Sequence, residues 1–204
     1  ANEIPTQSVP IIDNSQVELK ALQIHNQYIV TQVKSGLMLI DQKAAFERIF
    51  YEKYLKNLSQ KSGNSQTLLF QKTVELEPLD FSLCMDIREK VSALGFVFEE
   101  FGKNTLLLSA VPVDLTDEDG EHILKDIIGQ YRENENSQEL SKTENLARAM
   151  AKRVASSSVK SLQNLEIQSL INQLFECSVP SLTPDGKATT HILGLKELSE
   201  LISG

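Results

Sequence analysis

The sequence predicts an α+β fold for this chain of 204 residues. Its predicted strands and helices follow each other in mixed order and do not alternate throughout as βα units, which favours α+β packing. A short apolar run at 36–40, typical of a buried strand, leads directly into a helical pattern. Pro78 then marks a change of character along the chain. Together these observations indicate an α+β fold in two lobes.

Before Pro78, the clearest element is the helix that follows the apolar run. Asp41 lies where the N-cap of this helix belongs, because an Asp side chain accepts hydrogen bonds from the free N–H groups of a first turn. Segment 21–33 partly alternates apolar and polar residues and therefore predicts a strand. The elements predicted in this part are a linker over 1–20, strands over 21–33 and 37–40, a helix over 42–58, a polar loop over 60–65 and an extended segment over 67–77.

After Pro78, apolar residues first recur at helical spacing, and Gly95 suits the C-terminal stop of that helix. Later segments repeat the same two patterns, strand-like and helical. The elements predicted here are a helix over 79–94, strands over 96–101 and 105–113, a helix over 117–133, a hydrophilic break over 134–141, helices over 143–155 and 165–177, a loop over 180–187, a strand over 189–195 and a closing helix over 196–202.

Composition limits the classes of function. The chain carries a net charge of −8, so we expect it to bind the DNA backbone only weakly by itself. Its two cysteines lie far apart in sequence, which fits a reducing, cytoplasmic setting. We expect no membrane span, because no apolar run has the necessary length. Since the chain begins at Ala1 without a Met, we expect a fragment of a longer protein.

Segment 41–52, with the sequence DQKAAFERIFYE, is the most informative motif. It resembles the DQHA(X)2E(X)4E motif of MutL-type mismatch-repair proteins. In that family the motif helps to build a metal-dependent nicking site in the C-terminal domain. Asp41, Glu47 and Glu52 match its acidic positions, whereas its histidine is Lys43 here. A charged lysine has no lone pair to offer a metal, so this departure puts the nicking activity in doubt.

The resemblance implies two further ligand segments, and both depart from the family pattern. Segment 154–160 resembles A-C-x-x-[AS]-[IV]-[KR] but has Ala155 at the cysteine position. Segment 183–188 resembles C-P-H-G-[RK]-P but has Thr183 for its cysteine and Asp185 for its histidine. With both cysteines and both histidines of the pattern replaced, the soft and borderline donors for zinc are nearly all absent. We therefore predict a degenerate endonuclease motif with no metal, no cofactor and no catalytic residue.

The resemblance also implies a domain organisation and a function. MutL C-terminal domains have a discontinuous dimerisation lobe, which would be 21–77 with 161–204 here, and an inserted α/β lobe, which would be 78–160. The expected function is in DNA mismatch repair, as the homodimerising domain of a MutL-like ATPase whose N-terminal part lies outside this chain. A mismatch-recognition protein is an expected partner. The alternative is a metal-dependent nicking endonuclease, in which Asp41, Glu47 and Asp185 hold Mg²⁺ or Mn²⁺ weakly.

A second motif, Gln66-Thr67-Leu68-Leu69-Phe70, resembles the Q-x-x-L-F peptides that dock on bacterial sliding clamps. In such a peptide the glutamine contacts the edge of the pocket, and the apolar side chains fill it. We therefore predict that Gln66, Leu69 and Phe70 bind the clamp. The other interpretation is a core strand, with Leu68 and Phe70 on one face and Leu69 on the other.

The remaining chemistry-bearing side chains predict structural roles. His25 and His191 lie in predicted strands, where a histidine is more often structural than a metal ligand, and His122 lies on a predicted helix with its side chain exposed. Cys84 and Cys177 also lie on predicted helices, where buried, inert thiols are the default. A binding module unrelated to repair remains a third interpretation, which the motif matches disfavour.

Overall fold

The computed structural model describes residues 21–115, 120–134 and 142–203. The predicted linker over 1–20 lies outside the described residues, as do the first three residues of the predicted helix at 117–133 and most of the hydrophilic break. The α+β fold class is confirmed by the order of helices and antiparallel strands.

Seven strands form two antiparallel sheets in the described part of the chain. The first sheet has the order β1-β2-β3-β7 and the second β4-β6-β5. The strands are β1 (Ala21–Ile24), β2 (Tyr28–Val33), β3 (Gly36–Asp41), β4 (Ser65–Glu75), β5 (Val97–Glu100), β6 (Thr105–Pro112) and β7 (Thr190–Gly194).

Helices pack against both sheets and connect them. Helix α1 follows β3 without a loop and packs along α5, so the longest helices of each half of the chain lie together. The helices are α1 (Gln42–Gln60), α2 (Pro78–Asp86), α3 (Arg88–Ala93), α4 (Gly120–Asn134), α5 (Lys142–Ser158), α6 (Asn164–Glu176) and α7 (Leu195–Ser203).

The prediction of one strand over 21–33 is wrong, because the chain turns back there as a hairpin. His25 and Asn26 have φ angles of 52° and 54°, and the N–H of Gln27 donates to the carbonyl of Ile24 at 3.0 Å. A left-handed pair of residues reverses the strand direction, and Asn accepts this conformation more easily than most residues. Strands β1 and β2 therefore pair with each other, and His25 is exposed in the turn.

The single helix predicted over 79–94 is also wrong, because Ile87 divides it into α2 and α3. The φ and ψ angles of Ile87 are −103° and 16°, outside the helical region. Its side chain is buried at 7% exposure. The apolar spacing continues through the break, which explains why the sequence pattern did not reveal it.

Two hydrophobic cores follow the two sheets. The first sheet packs one face against α1 and α6, where Ile29 and Ile40 are fully buried beside Leu170 and Leu174. The second sheet, α2, α4 and α5 enclose a larger core around Phe96, the side chain of which is also fully buried.

Strand β4 was predicted within the lobe 21–77, but it pairs with β6 over most of its length. Its sheet partner therefore lies in the segment predicted as the inserted lobe, 78–160. The residues around β4 do not indicate this pairing, because the sequence of one strand does not specify which other strand it pairs with. The division of the chain into two lobes remains a prediction.

None of the helices that the structure describes is both long enough and apolar enough to cross a membrane.

Candidate functional site

Asp41 ends β3 and caps α1, as its position in the sequence predicts. Its Oδ1 accepts a hydrogen bond from the N–H of Ala44 at 3.0 Å, in the first turn of the helix. Lys43, the next motif position, is exposed to solvent. The Asp41 carboxylate therefore stabilises the helix start, where it satisfies a backbone donor that would otherwise lack a partner.

Glu47 faces the interior side of α1 and is 7% exposed. Burial, and after it the negative charge of Asp185, raise the pKa of this carboxyl above its ordinary value. The lysines that oppose the shift come from three parts of the chain, and they are Lys152, Lys187 and Lys43. The fold thus brings the motif position on α1 together with α5 and the loop that contains Asp185.

Glu52 lies further along α1 and binds the start of the segment after α6. Its carboxylate accepts hydrogen bonds from the N–H of Ser178 at 2.9 Å and 3.0 Å and from the Ser178 hydroxyl at 2.7 Å. Burial alone would raise the pKa of Glu52, but these hydrogen bonds, with the charge of Arg48, lower it. Glu52 therefore attaches α1 to the end of α6 and is occupied in that contact.

Asp185 is paired with two cations from α5. Its Oδ1 accepts a hydrogen bond from Nη1 of Arg148, and its Oδ2 accepts one from Nζ of Lys152 at 3.2 Å. Partial burial raises the pKa of Asp185, but the two charge-assisted hydrogen bonds outweigh it and lower the pKa. Both carboxylate oxygens therefore already have cationic partners.

The other two replaced positions supply no metal donor. Ala155 is fully buried in α5 and has no polar side-chain atom. Thr183 is 1% exposed, and its hydroxyl accepts a hydrogen bond from the N–H of Lys187 at 3.1 Å. The backbone of Thr183 also pairs with Lys187, and Gly186 donates to the Thr183 carbonyl at 3.0 Å. Thr183 therefore shapes the turn that presents Asp185.

Arginine side chains complete the contact between α1, α5 and the loop. Nε of Arg48 donates to the Leu182 carbonyl at 2.6 Å. The guanidinium carbons of Arg48 and Arg148 lie 5.5 Å and 5.8 Å from the ring centroid of Tyr51, within cation–π distance. These arginines were not predicted from the sequence. Arg48 and Glu52 stand at i, i+4 spacing, which was the available signal, whereas nothing local links Arg148 to Asp185.

These side chains form a group that we call the charged junction, made up of Glu47, Arg48, Glu52, Arg148, Lys152 and Asp185. The structure brings the motif positions 47, 52, 183 and 185 to this place, and it engages Glu52 and Asp185 in separate contacts. A divalent metal needs several oxygen, nitrogen or sulfur ligands that converge on one point. Within the described ranges, no three His, Cys, Asp or Glu side chains are arranged in that way. The residues of the charged junction therefore do not fit a catalytic metal.

The predicted clamp-binding residues lie on β4, at an edge of the second sheet. Pairing with β6 shifts register between Thr67 and Lys72, so a bulge covers the residues between them. Leu68 is buried at 5% exposure, but Leu69 and Phe70 are 83% and 77% exposed. The interpretation of Phe70 as a core residue is wrong, because the bulge interrupts the alternation of faces that a regular strand would impose.

Gln66, at the start of the same motif, is less available than the apolar pair. Its Nε2 donates a hydrogen bond to the backbone carbonyl of Leu115, and its side chain is half-buried. The exposed part of the motif therefore consists chiefly of Leu69 and Phe70.

The first sheet has an apolar face that points away from its core. In β2 the side chains of Ile29 and Thr31 are buried, so Tyr28 and Val30 lie on the opposite face. The register of β1 and β3 against β2 places further apolar residues on that face. We call it the outer sheet face, and it consists of Leu22, Ile24, Tyr28, Val30, Leu37 and Leu39. Leu22, Ile24 and Tyr28 are 60%, 38% and 40% exposed.

The remaining histidines and cysteines lie outside the six residues of the charged junction. His122 is exposed on α4, as the sequence predicts. His191 is exposed on β7 opposite Leu39, on the same side of the sheet as the outer sheet face. Cys84 is fully buried, and burial raises the pKa of its thiol to about 12. Cys177 is half-buried at the end of α6, and burial raises the pKa of its thiol to about 11. Both thiols therefore stay protonated at neutral pH.

Comparison with known proteins gives a consistent set of similarities. Residues 21–165 match the family described as the MutL C terminal dimerisation domain. The chain is 37% identical over 186 residues to the DNA mismatch repair protein MutL of Pelodictyon phaeoclathratiforme, which covers 91% of this chain and 30% of that protein. It is 36% identical over 191 residues to the DNA mismatch repair protein MutL of Chlorobium chlorochromatii, with 94% and 30% covered. The chain thus spans about three-tenths of the length of these curated relatives.

Proposed function

This chain belongs to the family of MutL C-terminal dimerisation domains, and we propose that it holds two copies of a DNA mismatch-repair protein together as a homodimer. The outer sheet face is the observation that carries the proposal. A sheet with one face on its own core and an apolar, exposed second face is unfavourable in water, and such patches mark interaction sites. A second copy of the same face can cover it by two-fold symmetry.

If the outer sheet face forms the dimer interface, a charge introduced into this face should weaken the dimer. We expect light scattering at micromolar concentration to give twice the monomer mass for the wild-type chain. Leu22→Glu should raise the dissociation constant of the dimer at least about tenfold, because the interface core of a dimer tolerates unpaired charge poorly. Leu79→Glu is the matched control, because Leu79 is 74% exposed on α2 and lies outside the first sheet. A wild-type chain that is monomeric at micromolar concentration would contradict the proposal.

The relatives indicate a wider role for this domain. Both are DNA mismatch repair proteins about three times as long as this chain. We propose that the rest of such a protein supplies an ATPase and the contact with a mismatch-recognition protein. We infer that this domain keeps two ATPase regions close together, which raises their effective concentration for closing around DNA. A net charge of −8 gives this domain little attraction for the DNA backbone. We propose a cytoplasmic location, because the chain has only two cysteines and they lie far apart in sequence.

We further propose that the domain has no nicking activity of its own. In this interpretation the charged junction is a structural contact that remains where the family's metal site would lie. Cations from α5 occupy both oxygens of Asp185, Ser178 occupies Glu52, and the buried Glu47 has a raised pKa. The alternative, a nicking endonuclease built on Asp41, Glu47 and Asp185, would require these contacts to break and a metal to replace them.

The absence of nicking can be measured on supercoiled plasmid with Mn²⁺ and a loaded sliding clamp. We expect the wild-type chain to leave no more nicked plasmid than the Asp41→Asn and Glu47→Ala variants do. We also expect Mn²⁺ to leave the thermal midpoint unchanged, because a ligand that binds only the folded state would raise it. Nicking by the wild type that disappears in either variant would refute the proposed absence of nicking and favour the endonuclease.

Finally, we propose that segment 66–70 docks on the sliding clamp through Leu69 and Phe70, with Gln66 as the polar anchor. The support is the exposure of the two apolar side chains on the bulge of an edge strand, where an extended peptide can enter a pocket without disturbing the core.

A further inference from the structure

Helix α7 carries an apolar stripe that the described structure does not bury. At about 100° of rotation per residue, its four large apolar side chains fall within about 120° of arc. They are Leu195, Leu198, Leu201 and Ile202, which we call the terminal stripe. Leu195, Leu201 and Ile202 are 67%, 70% and 86% exposed, and α7 has no buried residue.

The start of α7 is fixed beside the first sheet. The N–H of Leu195 donates to the carbonyl of Ser35 at 3.2 Å, in the turn between β2 and β3. The N–H of Gly194 donates to the carboxylate of Glu197 at 3.2 Å, which satisfies a backbone donor at the start of the helix. Because β7 is the edge strand next to β3, α7 extends from the same sheet that carries the outer sheet face.

The polar side of α7 disfavours an anionic partner surface. Its charged residues are Lys196, Glu197 and Glu200, so acidic groups outnumber basic ones. The ammonium of Lys196 lies 3.8 Å from the carboxylate of Glu200 within the same helix. Helices that lie on anionic lipid, or that follow a nucleic-acid backbone, need clustered Lys and Arg instead. An apolar protein surface suits α7 better.

The size of the outer sheet face indicates which protein surface that is. Four strands at about 4.8 Å spacing and about 20 Å of strand length give a projected area of roughly 400 Å². A lasting dimer buries about 800 Å² on each partner, so the outer sheet face needs further apolar surface beside it. The terminal stripe, on a helix of nine residues attached to the edge of that sheet, can supply part of the difference.

We propose that the terminal stripe packs against the second copy of this chain and forms the outer part of the dimer interface. This inference rests on the proposed homodimer. It assigns a role to residues after 165, where the match to the family ends. It also explains why α7 retains four large apolar residues although none of them is buried within its own chain.

The test compares two double variants of α7 in the whole chain, by light scattering over a dilution series. Leu201→Glu with Ile202→Glu should raise the dissociation constant of the dimer at least about tenfold. Ser199→Glu with Ser203→Glu adds the same charge to the polar side of the same helix and should leave dimerisation close to wild type. Ile202→Ser removes apolar area without adding charge and should weaken the dimer in the same direction, which guards against a folding defect in the Leu201 and Ile202 double variant.

The outcomes separate this inference from the homodimer itself. A monomeric wild type would overturn the homodimer and the role of α7 together. A dimeric wild type that Leu22→Glu weakens, but that the Leu201 and Ile202 double variant and Ile202→Ser leave unchanged, would overturn only the role of α7. Equal weakening by the two double variants would also overturn it, because the effect would then come from charge and not from the loss of the apolar stripe.

Discussion

Phe70→Ala is expected to weaken binding of this domain to the bacterial sliding clamp at least about thirtyfold, while its thermal midpoint stays within about 1 °C of wild type. The expected loss corresponds to about 2 kcal/mol, which is typical of truncating a buried aromatic anchor. The fold should not change, because Phe70 is 77% exposed and makes little contact with its own core. Fluorescence anisotropy with labelled clamp and a thermal melt measure the two quantities on the same protein.

Neighbouring positions provide the controls for this experiment. Gln71→Ala changes an exposed residue of the same bulge and should leave both quantities unchanged. Leu68→Ala removes a side chain that is 5% exposed, so it should lower the free energy of unfolding by about 2–5 kcal/mol. A Phe70→Ala variant that binds the clamp as tightly as wild type would refute the docking assignment.

The internal hydrogen bond of Gln66 adds a constraint on how docking occurs. Its Nε2 is already bound to the Leu115 carbonyl, so the side chain must leave this partner before it can reach the clamp. The energy of the new hydrogen bond then replaces the old one and adds little net affinity. Gln66→Ala should therefore weaken clamp binding less than Phe70→Ala does.

The helix α1 and its cap could be predicted from the sequence because both depend on neighbouring residues. The apolar run before Asp41, and the helical pattern after it, act within a few residues of each other. The hairpin turn at His25 and Asn26 was missed because no Gly marks it and the apolar alternation continues on both sides. The pairing of β4 with β6 is a contact between distant residues, which no local pattern encodes.

The candidate site was likewise predictable from the sequence only in part. Resemblance to the family identified positions 41, 47, 52 and 185, and the structure brings the last three to the contact of α1 with its neighbours. The ion pairs of Asp185 with Arg148 and Lys152 could not be predicted, since they join residues more than thirty positions apart. Lysine and arginine are so frequent on helix surfaces that their presence on α5 indicated nothing in particular.

Gly36 lies at the start of β3, directly opposite Gly194 of β7, and the two strands approach closely there. The φ angle of Gly36 is 151°, which L-residues with a side chain rarely adopt. A Cβ atom at this position would lie 2.0 Å from the carbonyl oxygen of Leu193 and 3.1 Å from Cα of Gly194. Both contacts involve backbone atoms, so only separation of the strands can relieve them.

Gly36→Ala is therefore expected to lower the free energy of unfolding by about 3 kcal/mol or more, as strain and lost pairing between β3 and β7 add together. Urea denaturation followed by circular dichroism gives this value directly. Gly194→Ala is the matched control on the facing strand, because its Cβ would meet no atom within 4 Å, and it should cost less than about 1 kcal/mol. Since α7 begins after β7, Gly36→Ala should also weaken the dimer if the terminal stripe lies in its interface. Wild-type stability in Gly36→Ala would mean that β3 and β7 do not pair in this register.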